Sequence, residues 1–577
     1  MAERSPSVVE MLPMRAAADR YDVAVLGGGL AGLTLSMQIK KRRPATSVVV
    51  LEKREGPAPE AAFKVGESTV NIGAWYFGEV VGLRELLLET QLRKAGLRFY
   101  MPAGANDDLT RRVEFGPRGW PSIDTYQIDR GRFENDLVER ARGLGVDVLD
   151  GCRVTDVAFG ETMHTVGFEQ YGRPVTTKAR WVMDASGRAS LLKRQLGLAK
   201  SVGHTINAAW IRLRGGLDLE SWGAHDPAWM ARMPEPGVRT FATNHLLGEG
   251  YWVWLIPLSS GAISIGVCSD PRRHPWEQFA SVDALLEWLR AHEAQLASEL
   301  EPRTGEIMDY LRVQDFAYGV EQLLSADRWC LVGEAAAFAD PFYSPGSDFI
   351  ALSNTFACDV ATRELDGEDV TERVAYFGDY YRRAFEFTLA KYEDQYAVFG
   401  NPWVMNPKLG WDVVNLHVPP LLMLNGKFDD LEFMRSVDDI LQRFFDLNIR
   451  VERLFRDWHA LEQRPYEGMP GLGGPVGPAL AVLDALEGRY DDDALRARLA
   501  GHLAMVEAMA IQIFHKASAA LPSPPDDRPL NPYGIGLDPD AWEADGLYEP
   551  PGLTLAEAVE RAPGVGFLWL DRAPVRA

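Results

Sequence analysis

Residues 21–52 constrain what this chain can fold into more than any other stretch. An apolar run from Tyr21 to Leu26 breaks into Gly27, Gly28, Gly29, Leu30, Ala31 and Gly32, and helical spacing then continues to about Arg42. A second apolar run, Ser47 to Leu51, ends in Glu52. Strand, tight turn, helix and strand in that order make a βαβ unit of the dinucleotide-binding kind. Each glycine has a mechanical reason. Gly27 makes the turn, Gly29 lets backbone approach a pyrophosphate, and Gly32 lets the helix pack on the strand. Amides at the helix N-terminus, around Leu30 and Ala31, then hold the phosphates. Glu52, twenty residues past Gly32, is placed to accept the ribose hydroxyls. A single such unit does not separate NAD from FAD.

Composition sets the limits around that unit. The 577 residues, 46% hydrophobic and 25% charged, are ordinary globular material, which excludes wholesale disorder, collagen and coiled coil. Acidic residues exceed basic ones by 82 to 60, and a net charge of -22 repels phosphate backbones and anionic lipid. Neither a nucleic-acid nor a membrane partner is expected. Cys152, Cys268, Cys330 and Cys358 are too scattered for a disulfide framework or a C-x-x-C site, so no metal is expected and a reducing cytoplasm fits. The first twenty residues lack the apolar segment of a secretory signal, and no apolar run reaches the roughly 18 residues of a membrane span.

Patterning along the chain predicts an α/β protein in four parts. Residues 1–20 are a polar leader. Residues 21–365 form a Rossmann-like nucleotide-binding domain interleaved with a mixed β-sheet substrate domain; strands dominate from about 96 to 330, with helices near 132–143 and 281–299. Residues 366–520 are a helical C-terminal region, with helical spacing over 370–398, 429–461 and 491–519. Residues 521–577 are a wrap and tail rich in Pro and Gly.

Later motifs narrow the cofactor. Arg328 to Val332 is a strand running into Gly333, Glu334, Ala335 and Ala336, followed by Asp340, Pro341 and a long apolar helix opened by Gly346. With Ile128-Asp129-Arg130 ahead of a helix, the strand start Gly151 to Val154, and the turn Asp184-Ala185-Ser186-Gly187-Arg188, the chain resembles the FAD-dependent aromatic hydroxylase superfamily. That resemblance implies FAD as cofactor. It places Glu334, where the superfamily carries Asp, on the ribityl chain, brings Arg130 and the backbone of Val154 against the cofactor, and makes Asp184 a buttress of the flavin fold. The helix opened by Gly346 is implied to aim its N-terminus at the flavin pyrimidine, where partial positive charge favours the anionic reduced form.

Two further stretches resemble the flavin-dependent halogenases, tryptophan halogenase-like, within that superfamily. Tyr251-Trp252-Val253-Trp254-Leu255-Ile256-Pro257 matches their W-x-W-x-I-P signature, and Lys94, in Arg93-Lys94-Ala95-Gly96-Leu97-Arg98-Phe99, resembles their K-x-G-x-x-F segment. Lys94 follows Val65-Gly66-Glu67-Ser68-Thr69 at about the family's distance. The resemblance implies FADH2 supplied by a separate flavin reductase, O2 forming a C4a-hydroperoxide, and Lys94 as the catalytic cation that holds hypohalous acid or carries the halogen. Trp252 and Trp254 point to one face of a strand and are implied to wall a tunnel between flavin and substrate. Two tryptophans at that spacing are also what a core sheet face carries, and a lone lysine is ordinarily a solvated surface group.

The halide site departs from the family. The residues matching its halide-binding backbone segment are Ser344, Pro345 and Gly346, and proline has no N–H. Asp348 adds negative charge one turn on. Tyr343 stands where tryptophan halogenases carry a glutamate, so a phenolic or other electron-rich ring, free or carrier-bound, suits better than an indole. Halogenation of such a secondary metabolite is the expected activity. Hydroxylation by an FAD-dependent monooxygenase on the same scaffold, without halide, is the alternative, and an inactive flavoprotein partner of a biosynthetic assembly is a third.

Overall fold

The computed structural model of the chain describes residues 16–61, 66–416, 418–464, 472–473, 486 and 488–565. Most of the expected leader, Val65 and the end of the tail lie outside the described residues. The chain begins with β1 (Arg20–Leu26), α1 (Leu30–Arg42) and β2 (Val48–Leu51), then β3 (Leu97–Tyr100), α2 (Arg130–Gly143), β4 (Asp147–Leu149), β5 (Cys152–Ala158), β6 (His164–Gln170) and β7 (Arg173–Asp184). It continues through β8 (Asn207–Leu213), β9 (Thr243–Gly248), β10 (Tyr251–Pro257), β11 (Ile263–Ser269), β12 (Ile307–Val313) and β13 (Trp329–Leu331).

The first sheet runs β13–β7–β1–β2–β4, all parallel, with an antiparallel β5–β6 pair attached to β7. Val23 to Leu26 and all of β2 are buried, which is why they read as continuous apolar runs and not as alternations. From β1 the sheet grows through β2 on one side and through β7 on the other. In such a sheet a ligand binds at the carboxyl ends of the strands where the order reverses, here between β1 and β7.

The second sheet runs β12–β8–β11–β10–β9–β3, antiparallel except for the β9–β3 pair. Its two faces enter different cores. Phe99, Leu247, Trp252, Trp254 and Ile256 join the core shared with the first sheet. Tyr100, Leu246, Tyr251, Val253 and Leu255 face the opposite core, under the helices of residues 282–300. The period of two thus aims both tryptophans at the nucleotide-binding side.

Helices follow: α3 (Gly346–Leu365), α4 (Thr371–Ala390), α5 (Pro402–Asn415), α6 (Asp438–Leu461), α7 (Asp492–Ser518) and α8 (Leu555–Arg561). A buried charge cluster ties three of these segments together. Lys408 Nζ lies 2.9 Å from Asp412 and 2.6 Å from Glu452, and Lys391 Nζ lies 3.4 Å from Asp412. Buried charges persist only when paired in this way.

Candidate active site

The cradle at the end of β1 is made of backbone. Gly27 has φ +118°, and a Cβ there would lie 2.4 Å from the Ala185 carbonyl oxygen. A Cβ on Gly32 would lie 2.1 Å from the Gly27 carbonyl oxygen. Gly29 precedes α1, and no side chain caps the helix, so its first amides face whatever the turn holds. Glu52 sits at the end of β2 and accepts from Gly28 N (2.7 Å) and Arg54 N (2.8 Å). Asp184 is buried at the end of β7 and accepts from Ser186 N (2.9 Å) and Leu192 N (2.7 Å), fixing the turn on which Gly27 packs. Burial pushes the Asp184 carboxyl up, against these bonds.

A second glycine turn closes on the first. Gly333, at φ +55°, would bring a Cβ within 3.0 Å of Ala31 Cβ. Its N–H donates to Ser353 on α3 (3.0 Å), and Asn354 on the same helix donates to the Ala31 carbonyl (3.0 Å). Two turns that exclude Cβ atoms, an uncapped helix terminus and an acid at the end of β2 fit a dinucleotide such as FAD.

One cleft leads from this cradle into the second sheet. Leu30, Glu334 and Gly346 line it together with Arg130, Trp252 and Trp254. Arg130 is anchored by Glu134 (2.6 Å). Gly346 opens α3 with free space where a Cβ would stand. Val154 is not among the residues lining the cleft; it lies on β5, whose first amide, Cys152 N, donates to the Glu52 carbonyl (2.8 Å), so it belongs to the Glu52 end. The tryptophans are both core and wall: Trp252 Nε1 donates to Tyr396 (3.0 Å) and Trp254 Nε1 to Ser264 (3.1 Å). Tyr396 in turn donates to Asp340 (2.7 Å), which also meets His204 Nε2 (2.8 Å).

Lys94 is buried, 1% exposed, and reaches the cleft through one hydroxyl. Its Nζ donates to Ser68 Oγ (2.8 Å) and to the Thr69 carbonyl (2.8 Å). Ser68 Oγ accepts from Ser344 Oγ (3.1 Å) and meets Thr243 Oγ1 (2.8 Å), and all three hydroxyl residues line the cleft. Burial pushes the Lys94 ammonium down to about 7, opposed by Asp348. Asp348, half-buried, accepts from Gly73 N (2.8 Å), and desolvation pushes it up to about 7.

Two of the three residues matched to the family's halide segment, Ser344, Pro345 and Gly346, offer no backbone donor. Ser344, at φ +58°, spends its N–H on the Pro341 carbonyl (2.9 Å), and Pro345 has none. Tyr343 points away from the cleft and donates to Asp412 (2.6 Å), joining the halide segment to the buried charges of α5 and α6. Thr243 and His245 escaped sequence reading. The signal for them is the hairpin register, which sets His245 opposite Trp254. Among the described residues no group of His, Cys, Asp and Glu forms a metal cluster.

Fold and cleft together define a flavin-type dinucleotide-binding protein with a second, side-chain-built chamber. The chain belongs to the FAD binding domain family, which it matches over residues 20–348. Its curated relatives include the flavin-dependent halogenase chlA of Dictyostelium discoideum, 28% identical over 58% of this chain and 58% of that protein. The 1H-pyrrole-2-carbonyl-(peptidyl-carrier protein) chlorinase of Pseudomonas fluorescens is 26% identical over 56% of this chain and 72% of its own length. The match thus spans little more than half the length of the Dictyostelium relative. Among solved structures, halogenase PltM in complex with phloroglucinol and FAD superposes with a TM-score of 0.59 at 17% identity, covering 84% of this chain and 96% of that one. Flavin-dependent brominase Bmp2 gives 0.51 at 22%, covering 65% and 87%. Likeness at these identities shows the fold.

Proposed function

We propose that the chain is an FAD-dependent halogenase of electron-rich aromatic rings, phenolic or carrier-bound, working in the cytoplasm with FADH2 from a separate flavin reductase. Reduced FAD with O2 would supply the oxidising equivalent. Gly27, Gly29, Gly32 and the α1 amides would hold its pyrophosphate, Glu52 its ribose, Glu334 its ribityl chain, and Arg130 and the Gly346 helix terminus the flavin end. The observation that carries the reading is Lys94, a buried ammonium one hydroxyl away from a cleft walled by Trp252 and Trp254. An ammonium donates the hydrogen bond that a hypohalous oxygen needs, and water exclusion strengthens it. The helical region supports the same chamber, since Tyr396 holds Trp252. The carrier-protein relative and the phloroglucinol complex support the substrate class. That no helix among the described residues is long and apolar enough to cross a membrane accords with the setting.

The test is product mass with FAD, a flavin reductase, NADH and either bromide or chloride. Halogenated phenol or carrier-bound pyrrole is expected. Oxygen incorporated without halogen would overturn halogenation in favour of a hydroxylase, the reading that the spent Ser344 N–H and the missing Pro345 N–H favour.

A further inference from the structure

His245 stands in the cleft wall with no part yet in the chemistry. It is fully buried on β9, stacked on Phe99 with ring centroids 4.5 Å apart. Nδ1 lies 3.1 Å from the Arg98 carbonyl oxygen, a contact only an N–H can make, so the proton sits on Nδ1 and Nε2 carries a lone pair. Nε2 has no hydrogen-bond partner. An unpaired buried acceptor costs about 1–3 kcal/mol, which marks it as a position where a partner is expected.

Its surroundings select that partner. Burial pushes the imidazolium far down, to about 3, and the nearby Lys94 charge acts in the same direction, outweighing the backbone carbonyls of Arg98, Phe342 and Thr243, so the ring stays neutral. Lys94, Ser68, Thr243 and Ser344 already satisfy one another. Trp252 and Phe342 lie with ring centroids 5.2 and 5.3 Å from the imidazole, a setting for another flat ring.

We propose that His245 Nε2 is the hydrogen-bond acceptor for the ring-attached O–H or N–H of the aromatic substrate. The inference rests on the proposed reading that the cleft receives an aromatic ring. A hydrogen bond there orients the ring beside Trp252 and draws the donor's proton outward, raising electron density on the ring carbons. A ring without such a donor would leave the lone pair unpaired, so the site discriminates between a phenol and its methyl ether, or a pyrrole and its N-methyl form.

The experiment measures binding to the FAD-loaded protein by fluorine NMR with para-fluorophenol and para-fluoroanisole, and by calorimetry with pyrrole and N-methylpyrrole. The wild type is expected to prefer a donor-bearing ring about tenfold, the phenol arm alone or the pyrrole arm alone identifying the donor. His245→Phe keeps the stacking and should lose the preference, while His245→Gln, which puts a carbonyl near Nε2, should retain part of it. Nitrogen NMR of the wild type gives a check free of folding defects: the Nε2 signal should move with phenol and stay with anisole. A wild type without preference, a His245→Phe variant that keeps it, or an unmoved Nε2 signal overturns the inference. Halogenated product from a wild type with no donor preference sinks this inference alone. A preference carried by His245 alongside purely oxygenated product sinks the halogenase reading alone.

Discussion

At one end of the cleft the cradle is backbone from one short stretch, Gly27 to Gly32, closed by a second glycine turn at Gly333. At the other end Ser68, Lys94, Thr243 and Ser344 come from four distant parts of the chain and meet through side chains. The cradle is specified by the absence of Cβ atoms, the Lys94 end by the solvation of charge. Shape errors should therefore break the first, whereas proton balance should tune the second.

Gly32→Ala sharpens that contrast most. Its Cβ would meet the Gly27 carbonyl at 2.1 Å, so FAD affinity, read by flavin fluorescence titration, should fall by more than about a hundredfold. Glu52→Gln should cost about tenfold, because a neutral amide accepts more weakly from Gly28 N and from a ribose hydroxyl. Unchanged affinity in either variant would mean that the cradle holds something else.

The Lys94 end should respond to pH instead. If, as proposed, halogen transfer needs the ammonium, single-turnover product yield should fall as pH rises through about 7. In Asp348→Asn the ammonium loses its opposing charge, and that fall should begin at lower pH; a profile unmoved by the substitution would separate the two groups. Stability gives the smallest effect. The Asp348 acid form is favoured in the fold, so its contribution is present at low pH and lost as pH rises through about 7. Lys94 contributes above its unfolded value and loses that as pH falls through about 7. Asp348→Asn should therefore gain more in Tm at pH 7 than at pH 5, as differential scanning calorimetry would read.

The same contrast governs what was legible in the sequence. The cradle could be read because its residues are adjacent and each glycine has a steric reason. Trp252 and Trp254 could be placed on one face by strand periodicity, but that period could not say which core they enter; the β9–β10 register decides it. Lys94 carried only local spacing, and its burial depends on Ser68 and Asp348 arriving from elsewhere. The spent Ser344 N–H follows from a left-handed φ that no pattern announces. Helix α5 went unread because Pro402 and Pro407 resemble breakers; Pro402 occupies the first turn, where no N–H is needed, capped by Asn401.

The central claim is that the two ends divide the chemistry, one holding the cofactor and the other delivering the electrophile. Lys94→Met tests it when FAD affinity and product mass are measured on the same preparation. FAD affinity within about twofold of wild type, with halogenated product abolished, is the predicted result. Product that persists, or FAD affinity that falls along with it, would contradict the separation and return Lys94 to a structural role.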